Sequence, residues 1–223
     1  MKVLMIILSS PSVNGVYPLH KAIWSKYMHS EPSITSYFLE FHPEKEGIEG
    51  DTFFVKGKES THPGCLDKTL ACFKHFAEAD YDFIVRSNMS SLWNFPTLLK
   101  HLGTLPTQGL YSGAVGRYNS IDFASGSGFV LSADVMRRLV TVPTPGPNIM
   151  DDVDIGFILG NLGIKIKSAH RVDILNLHDY NSHTYSDTPY HYRIKWDGMR
   201  HKETEAITRI MNRIYHGEEL KPM

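Results

Sequence analysis

Two adjacent carboxylates, Asp151 and Asp152, are the residues best suited to chemistry in this chain. They follow a segment rich in proline and glycine, Pro143 to Pro147, and precede apolar residues at helical spacing. Carboxylates are favoured at the start of a helix by its macrodipole, and taken alone the pair favours this structural explanation. A carboxylate at the end of such a loop can also accept a proton from an attacking hydroxyl. General-base catalysis is therefore the functional hypothesis.

A polar cluster follows the apolar run Tyr81–Val85 and reads Arg86-Ser87-Asn88-Met89-Ser90. An arginine at the end of a buried strand is suited to binding a phosphate or a carboxylate. The structural alternatives are that Arg86 is an ordinary surface residue and that Ser90 caps a helix.

Two glycines, Gly126 and Gly128, flank Ser127 ahead of an apolar run. They resemble a phosphate-binding loop only weakly, because no lysine follows and the next predicted helix begins too late. Close approach of the backbone to a ligand or to another strand is the favoured interpretation, and a glycine-bent strand is an equal alternative.

The twelve histidines and two cysteines give little evidence for a metal or a nucleophile. The histidines lack His-Glu-x-x-His spacing, and only His178, His183 and His191 form a cluster. Cys65 and Cys72 are seven residues apart in a helical pattern, about 10 Å along the axis, which is too far for a disulfide. We expect reduced thiols, as in a cytosolic protein. No Gly-x-Ser-x-Gly motif supports a serine hydrolase.

Apolar periodicity predicts strands and helices that alternate along the first half of the chain. This pattern predicts an α/β fold in a single domain over residues 1–223, with a mostly parallel central sheet and helices on both faces. Ligands of such sheets bind outside the carboxyl ends of the strands, which singles out Ser9 and the cluster after Val85. The predicted strands are 2–8, 34–41, 52–55, 81–85, 109–115, 122–131, 164–168 and 172–175. The predicted helices are 17–28, 63–76, 91–102, 134–139, 152–163 and 202–215, and a loop is predicted over 178–191.

Composition and charge exclude several classes of function. Lys and Arg number 23 against 24 Asp and Glu, and this net charge of -1 provides no general attraction to nucleic acid or anionic lipid. The apolar run at 3–8 is too short to span a membrane. The sequence therefore predicts a cytoplasmic protein with no membrane span and no nucleic-acid partner.

Three segments, taken in order, resemble the beta-1,3-galactosyltransferase and Fringe-like family of glycosyltransferases. They are Leu66–Leu70 (Leu-x-x-Lys-Thr in the family), Phe123–Ser132 (Gly-x-Gly-Tyr-Val-Leu-Ser) and Met150–Gly156 (Glu/Asp-Asp-Val-x-x-Gly). The resemblance covers residues 50 to 165. It implies a GT-A (Rossmann-like) fold and a hexosyltransferase that moves a sugar from a nucleotide-sugar donor to a hydroxyl of a glycan or glycoconjugate acceptor. It further implies inversion, with Asp152 as general base and Asp151 orienting the acceptor or supporting the base.

The chain departs from this family after Val85. The family has Lys-Thr-Asp-Asp-Asp where this chain has Arg86 to Ser90, so the metal-binding Asp-x-Asp becomes Asn88-x-Ser90. Both replacements keep an oxygen but lose the negative charge that Mg²⁺ or Mn²⁺ depends on. We therefore predict no required metal cofactor. The alternative is a weak Mn²⁺ or Mg²⁺ site of Asn88 and Ser90, completed by His191 or His178.

Cationic side chains are the favoured neutralisers of the donor diphosphate, with Arg86, Lys68 and Arg193 as candidates. Residues 190–195 alternate so that an extended chain points His191, Arg193 and Lys195 to one face. An exposed edge strand with protective charges is the alternative for this segment. The complete predicted donor site is Ser9, Lys68, Arg86, Asn88, Ser90, Gly126, Gly128, His191 and Arg193.

Two other functions compete with glycosyl transfer. One is a non-catalytic module, derived from a glycosyltransferase, that only holds a sugar nucleotide or a glycan. The other is a nucleotidyltransferase on a doubly wound sheet, which ranks lower because it calls for a basic loop after the first strand, and Ser9–Gly15 contains no Lys or Arg.

Overall fold

The computed structural model describes residues 1–13, 15–143, 146–147, 149–183, 189–196 and 199–223. Contacts within the chain divide it into two compact units that alternate along the sequence. Unit 1 comprises 1–11, 33–88 and 105–169, and unit 2 comprises 12–32, 89–104 and 170–223. The single domain expected over residues 1–223 stays a prediction.

Unit 1 contains an eight-stranded sheet in the order β3-β4-β2-β1-β5-β8-β7-β9. β4, β2, β1 and β5 are mutually parallel, in the third-second-first-fourth order of the first four strands of a doubly wound nucleotide-binding sheet. The α/β fold with a large, mostly parallel central sheet is thereby confirmed. The strands are β1 (Val3–Leu8), β2 (Ile34–His42), β3 (Gly47–Glu49), β4 (Thr52–Lys56), β5 (Phe83–Asn88), β7 (Tyr111–Tyr118), β8 (Ile121–Ser132) and β9 (Lys167–Ser168).

The core of unit 1 forms because its central strands are apolar on both faces. All six residues of β1 are buried, as expected for a parallel strand covered on both sides. Three helices contribute to the same hydrophobic cluster: α2 (Gly64–His75) through Phe73, α4 (Ala133–Thr141) through Met136, and α5 (Asp151–Asn161) through Ile155. Cys65 and Cys72 are free thiols in α2, as the sequence predicts.

A bulge in β8 interrupts its pairing with β7. Gly113 pairs with Phe129 and Val115 pairs with Ala124, so residues 125–128 of β8 face a single residue of β7. A bulge removes backbone groups from the strand ladder and redirects them. Gly126 and Gly128 therefore lie within an irregular strand rather than in a phosphate-binding loop.

The described residues of unit 2 form a three-stranded sheet in the order β10-β11-β6 and four helices. Because β11 is the central strand, the edge-strand alternative for residues 190–195 is wrong. The strands are β6 (Ser91–Trp93), β10 (Val172–Ile174) and β11 (His191–Ile194), and the helices are α1 (Tyr17–Trp24), α3 (Phe95–Leu102), α6 (Leu177–Ser182) and α7 (Arg200–His216).

Two predicted elements of unit 2 differ from the structure. The helix predicted over 91–102 begins with strand β6, because this completely buried segment pairs with β11 and the pairing overrides local propensity. The loop predicted over 178–191 contains α6, whose first turn is capped by the Asn176 side chain accepting from the Asp179 N–H at 2.8 Å. Residues 184–188 of that loop, and 144, 145 and 148 before α5, lie outside the described residues. Among the described helices, none has the length and apolar character of a membrane span.

Candidate functional site

Asp151 and Asp152 are the first two residues of α5, and they make different contacts. The Asp151 carboxylate accepts a hydrogen bond from the guanidinium of Arg86. Asp152 accepts the Gly126 N–H at 2.6 Å on Oδ2 and the Val153 N–H at 3.0 Å on Oδ1. Adjacent carboxylates therefore have separate environments, one in an ion pair with Arg86 and one held by backbone N–H groups.

Arg86 lies within β5 and is only 2% exposed. Its guanidinium donates to Asp151 and to the carbonyl oxygen of Gly126, and its central carbon lies 5.6 Å from the centre of the Phe129 ring. A buried cation is tolerated only when it is paired and hydrogen-bonded in this way. The sequence placed Arg86 at the site but did not predict that another side chain of the same site would bind it.

The backbone of Gly126 connects Arg86 with Asp152. Its N–H binds Asp152, while its carbonyl accepts from Arg86 and, at 3.4 Å, from the Asn88 side-chain amide. The β8 bulge allows this, since Gly126 is not engaged in regular pairing with β7. A Cβ at Gly126 would lie 2.8 Å from an Arg86 nitrogen and 3.0 Å from Asp152 Oδ2, so glycine is required for the close approach.

Burial raises the pKa of Asp152 above its ordinary value of 3.8, and the nearby Asp151 adds to the effect. Hydrogen bonds from the backbone N–H groups of Gly126 and Val153 and the charge of Arg86 oppose this rise without cancelling it. Desolvation disfavours the charged carboxylate, which makes it more basic. This property is the one that a general base requires.

A second polar group lies at the ends of β1 and β2. Lys68, buried in α2, donates to the Ser9 carbonyl at 2.7 Å and to Glu59 at 2.5 Å. The Ser9 hydroxyl donates to Glu40 at 2.7 Å. Sequence reasoning missed Glu40 and Glu59, although a glutamate between Leu39 and Phe41 in an apolar strand signals a buried charge with a specific partner.

These groups share one edge of the sheet. Leu8, the last residue of β1, pairs with Leu39 of β2 and with Asn88 of β5, so Ser9, Glu40 and Asn88 follow one another along the carboxyl edge. Ligands of open α/β sheets bind outside this edge.

The Cys65 thiol lies close to both polar groups. Burial and the charge of Asp151 raise its pKa, while Lys68 and Arg86 lower it. The two groups are therefore within electrostatic range of a common residue.

Three predicted donor residues belong to unit 2. The Ser90 hydroxyl donates to Glu203 at 2.8 Å. His191 is 3% exposed and its ring stacks on Trp93 at 3.9 Å, and burial lowers its pKa well below the ordinary value, so the imidazole is neutral. Arg193 is partly exposed in β11. In unit 1, Gly128 pairs with Ser87 across β5 and β8.

The described residues do not fit a divalent-metal site. They contain no group of three or more His, Cys, Asp or Glu side chains arranged to hold a metal ion. Asn88 supplies an amide, which is a poor replacement for a carboxylate ligand of Mg²⁺ or Mn²⁺, and its nitrogen points to the Gly126 carbonyl.

Comparisons with known proteins give matches only at the level of structure. No family model matches the sequence, and no curated protein matches it. A mutant of Drosophila beta-1,4-galactosyltransferase 7, in complex with manganese, UDP-Gal and xylobiose, is 10% identical over 91% of this chain and 74% of that chain, with a TM-score of 0.47. The 4-diphosphocytidyl-2C-methyl-D-erythritol synthase of Anaerococcus prevotii is 11% identical over 76% and 86%, with a TM-score of 0.45.

A putative glucose-1-phosphate thymidylyltransferase of Bacillus anthracis, in complex with sucrose, is 12% identical over 75% of this chain and 87% of that chain, with a TM-score of 0.44. All three TM-scores are below 0.5. The solved structures to which this chain is similar thus include a galactosyltransferase and nucleotidyltransferases.

Proposed function

We propose that the chain is a GT-A type glycosyltransferase that moves a hexosyl group from a nucleotide-sugar donor to a hydroxyl of a glycan or glycoconjugate acceptor. One observation carries the proposal. Asp152 is a partly buried carboxylate with a raised pKa, held by the Gly126 N–H in unit 1, whose parallel strands have the order of a nucleotide-binding sheet.

In the proposed reaction Asp152 acts as general base. It takes the proton of the acceptor hydroxyl as the hydroxyl oxygen forms a bond to the anomeric carbon. The bond from that carbon to the donor diphosphate breaks, and the diphosphate leaves with the bonding electrons on the opposite face, which inverts the configuration. Each oxygen of Asp152 accepts one backbone N–H and keeps a further lone pair for the proton.

Arg86 and Asp151 serve this base by positioning it. Arg86 fixes the Gly126 carbonyl, and the N–H of Gly126 in turn orients Asp152. Because Asp151 neutralises Arg86, the cation lowers the basicity of Asp152 less than it would if it paired with Asp152 directly. The role of Asp151 is thus to support the base.

The donor site that we propose extends along the carboxyl edge from Ser9 to Asn88 and Gly126. Lys68 holds the Ser9 carbonyl and so fixes the chain as it leaves β1. Contacts of the donor with Gly128, Ser90, His191 and Arg193 stay predictions from the family resemblance. The acidic metal motif of that family is replaced, and no step of this mechanism uses a metal.

A non-catalytic sugar-nucleotide or glycan-binding module is the second candidate. The observation that favours it is that Arg86 and Lys68, the two buried cations of the site, are both paired with carboxylates of the chain itself. A diphosphate would have to compete with Asp151 or Glu59 for them.

A nucleotide-sugar screen separates the two candidates. Thermal shift identifies a donor, and hydrolysis and transfer are then measured with and without EDTA. We expect Asp152→Asn to lower both rates by about 10²-fold or more. Asp67→Asn is the matched control, because Asp67 is an exposed carboxylate in the first turn of α2. Donor binding without turnover would support the binding module, and complete loss of activity with EDTA, restored by Mn²⁺, would contradict a metal-free reaction.

A further inference from the structure

A cleft of about 590 Å³ lies in unit 1 at the far end of α5. It is bounded by Ser120 in the turn between β7 and β8, by Asp122 of β8, by Phe157 and Gly160 of α5, and by the segment that follows this helix. Its volume is in the range of small-molecule sites in proteins. None of the lining residues that the structure describes has a role in the proposed transfer reaction.

The packing of α5 on β8 separates this cleft from the catalytic base. Asp152, Gly156 and Gly160 recur at four-residue spacing and share one face of the helix, with about 12 Å of axis between the first and the last. At Gly156 the two elements touch, since an added Cβ would lie 2.5 Å from the Cβ of Phe123. At Gly160 an added Cβ would have no atom within 4 Å. The cleft is therefore the opening that remains where helix and strand part.

The lining of the cleft combines apolar walls with a polar rim. Phe157, Ile164 and Ile166 offer hydrophobic surface, and the rim carries the hydroxyl of Ser120 and the side-chain amide of Asn161. Among the described residues of the lining, one carboxylate, Asp122, and one ammonium group, Lys165, carry charge, and the two charges sum to zero.

Asp122 is moreover already engaged by Arg117 at 2.6 Å. A phosphate would find only the single exposed ammonium group of Lys165 here, and a polyamine would find only a carboxylate that is already paired with Arg117.

A ligand with an apolar face, several hydroxyls and no charge matches this surface. Sugar rings have this character: their C–H faces pack on aromatic and aliphatic side chains, and their hydroxyls exchange hydrogen bonds with amides, hydroxyls and carboxylates. We infer that the cleft is a binding site for neutral saccharides, separate from the site of Asp152. This inference goes beyond the proposed function and does not depend on catalysis.

Gly160 offers a direct way to fill the cleft. Its φ is not positive, its Cβ direction is open, and leucine is a better helix former than glycine, so Gly160→Leu should fold at least as well as the wild type. Gly160→Ala is the matched control, because it improves the helix at least as much but leaves most of the volume open. Asn161→Ala, at an exposed position of the rim, tests a single hydrogen-bonding group.

Isothermal titration with cellobiose, maltose and lactose measures the binding, with glucose 6-phosphate as the charged comparison. All titrations are repeated in Asp152→Asn, so that failure of the proposed transfer function leaves the result unaffected. We expect at least one disaccharide to bind the wild type and Asp152→Asn alike, Gly160→Ala to bind within about twofold, and Gly160→Leu to bind at least about tenfold more weakly. Asn161→Ala should weaken binding by an intermediate factor.

Three results would overturn the inference. The first is that none of the neutral disaccharides binds the wild type. The second is that a disaccharide binds Gly160→Leu as tightly as Gly160→Ala, which would place its site elsewhere. The third is that glucose 6-phosphate binds more tightly than every neutral sugar, which would contradict a lining without net charge.

Discussion

Replacing Arg86 by methionine removes the buried cation on which the candidate site is built. Loss of one partner from a buried ion pair costs about 3–5 kcal/mol, because the other charge is left without compensation. Asp151 retains 18% exposure and lies at a helix N-terminus, so water and the helix dipole relieve part of its penalty. The hydrogen bond to the Gly126 carbonyl, worth about 1 kcal/mol, is lost as well. We therefore expect Arg86→Met to lower the free energy of unfolding by about 3–4 kcal/mol.

Urea denaturation, followed by circular dichroism, measures this loss, and a double-mutant cycle assigns it to the pair. Asp151→Asn should destabilise at least as strongly, because it leaves a cation that is 2% exposed without its carboxylate. In the double variant neither charge remains, so its loss should be smaller than the two single losses combined, by at least about 1 kcal/mol. Arg117→Met is the control, because Arg117 and Asp122 form an ion pair whose side chains are 70% and 43% exposed. This pair should contribute less than about 1 kcal/mol to the free energy of unfolding. Equal effects at Arg86 and Arg117, or strict additivity in the cycle, would refute the reasoning.

Three further predictions concern glycine packing and pH. Gly126→Ala should lower the free energy of unfolding by about 1–3 kcal/mol, because the added Cβ would lie too close to Arg86 and Asp152. An unchanged urea midpoint would contradict this prediction. The raised pKa of Asp152 means that the folded protein loses stability as the pH rises from the unfolded value, about 3.9, through the folded pKa. The part of the pH dependence that Asp152 causes should therefore be absent in Asp152→Asn, as urea midpoints across pH would show, and a pH profile equal to that of the wild type would contradict this. Burial, followed by the charge of Arg200, lowers the pKa of His20 to about 4. The free energy of unfolding should therefore fall by about 2–3 kcal/mol from pH 6.5 to pH 4, because only the unfolded chain gains the proton readily. His20→Gln should abolish this part of the pH dependence, and a stability–pH profile identical to that of the wild type would exclude His20 as its source.

The sequence was most informative where local pattern determines structure. The apolar run of β1 could only be a buried strand, and the carboxylates at the start of α5 had both a helix-start and a catalytic interpretation. Regular alternation of strands and helices was enough to predict the α/β sheet. The carboxyl-edge rule then placed Ser9 and Asn88 on the same side of it.

Pairing between distant segments accounts for what the sequence did not reveal. Ser91–Trp93 reads as the start of a helix, and only its partner β11, about a hundred residues later, makes it a strand. The contact of Arg86 with Asp151 joins residues 65 positions apart, and no local signal announces it. Glycine at position 126 hinted at a close approach of the backbone, but the groups that approach it come from β5 and α5.

The most direct test of Asp152 as general base is the pH dependence of kcat/KM for sugar transfer in the wild type and in Asp152→Asn. We expect the wild-type rate to fall on the acid side with a midpoint above 3.8, because protonation removes the base. Asp152→Asn should be slower by about 10²-fold or more and should lack this acid limb. A variant that retains both the wild-type rate and the acid limb would contradict the assignment of Asp152 as the base.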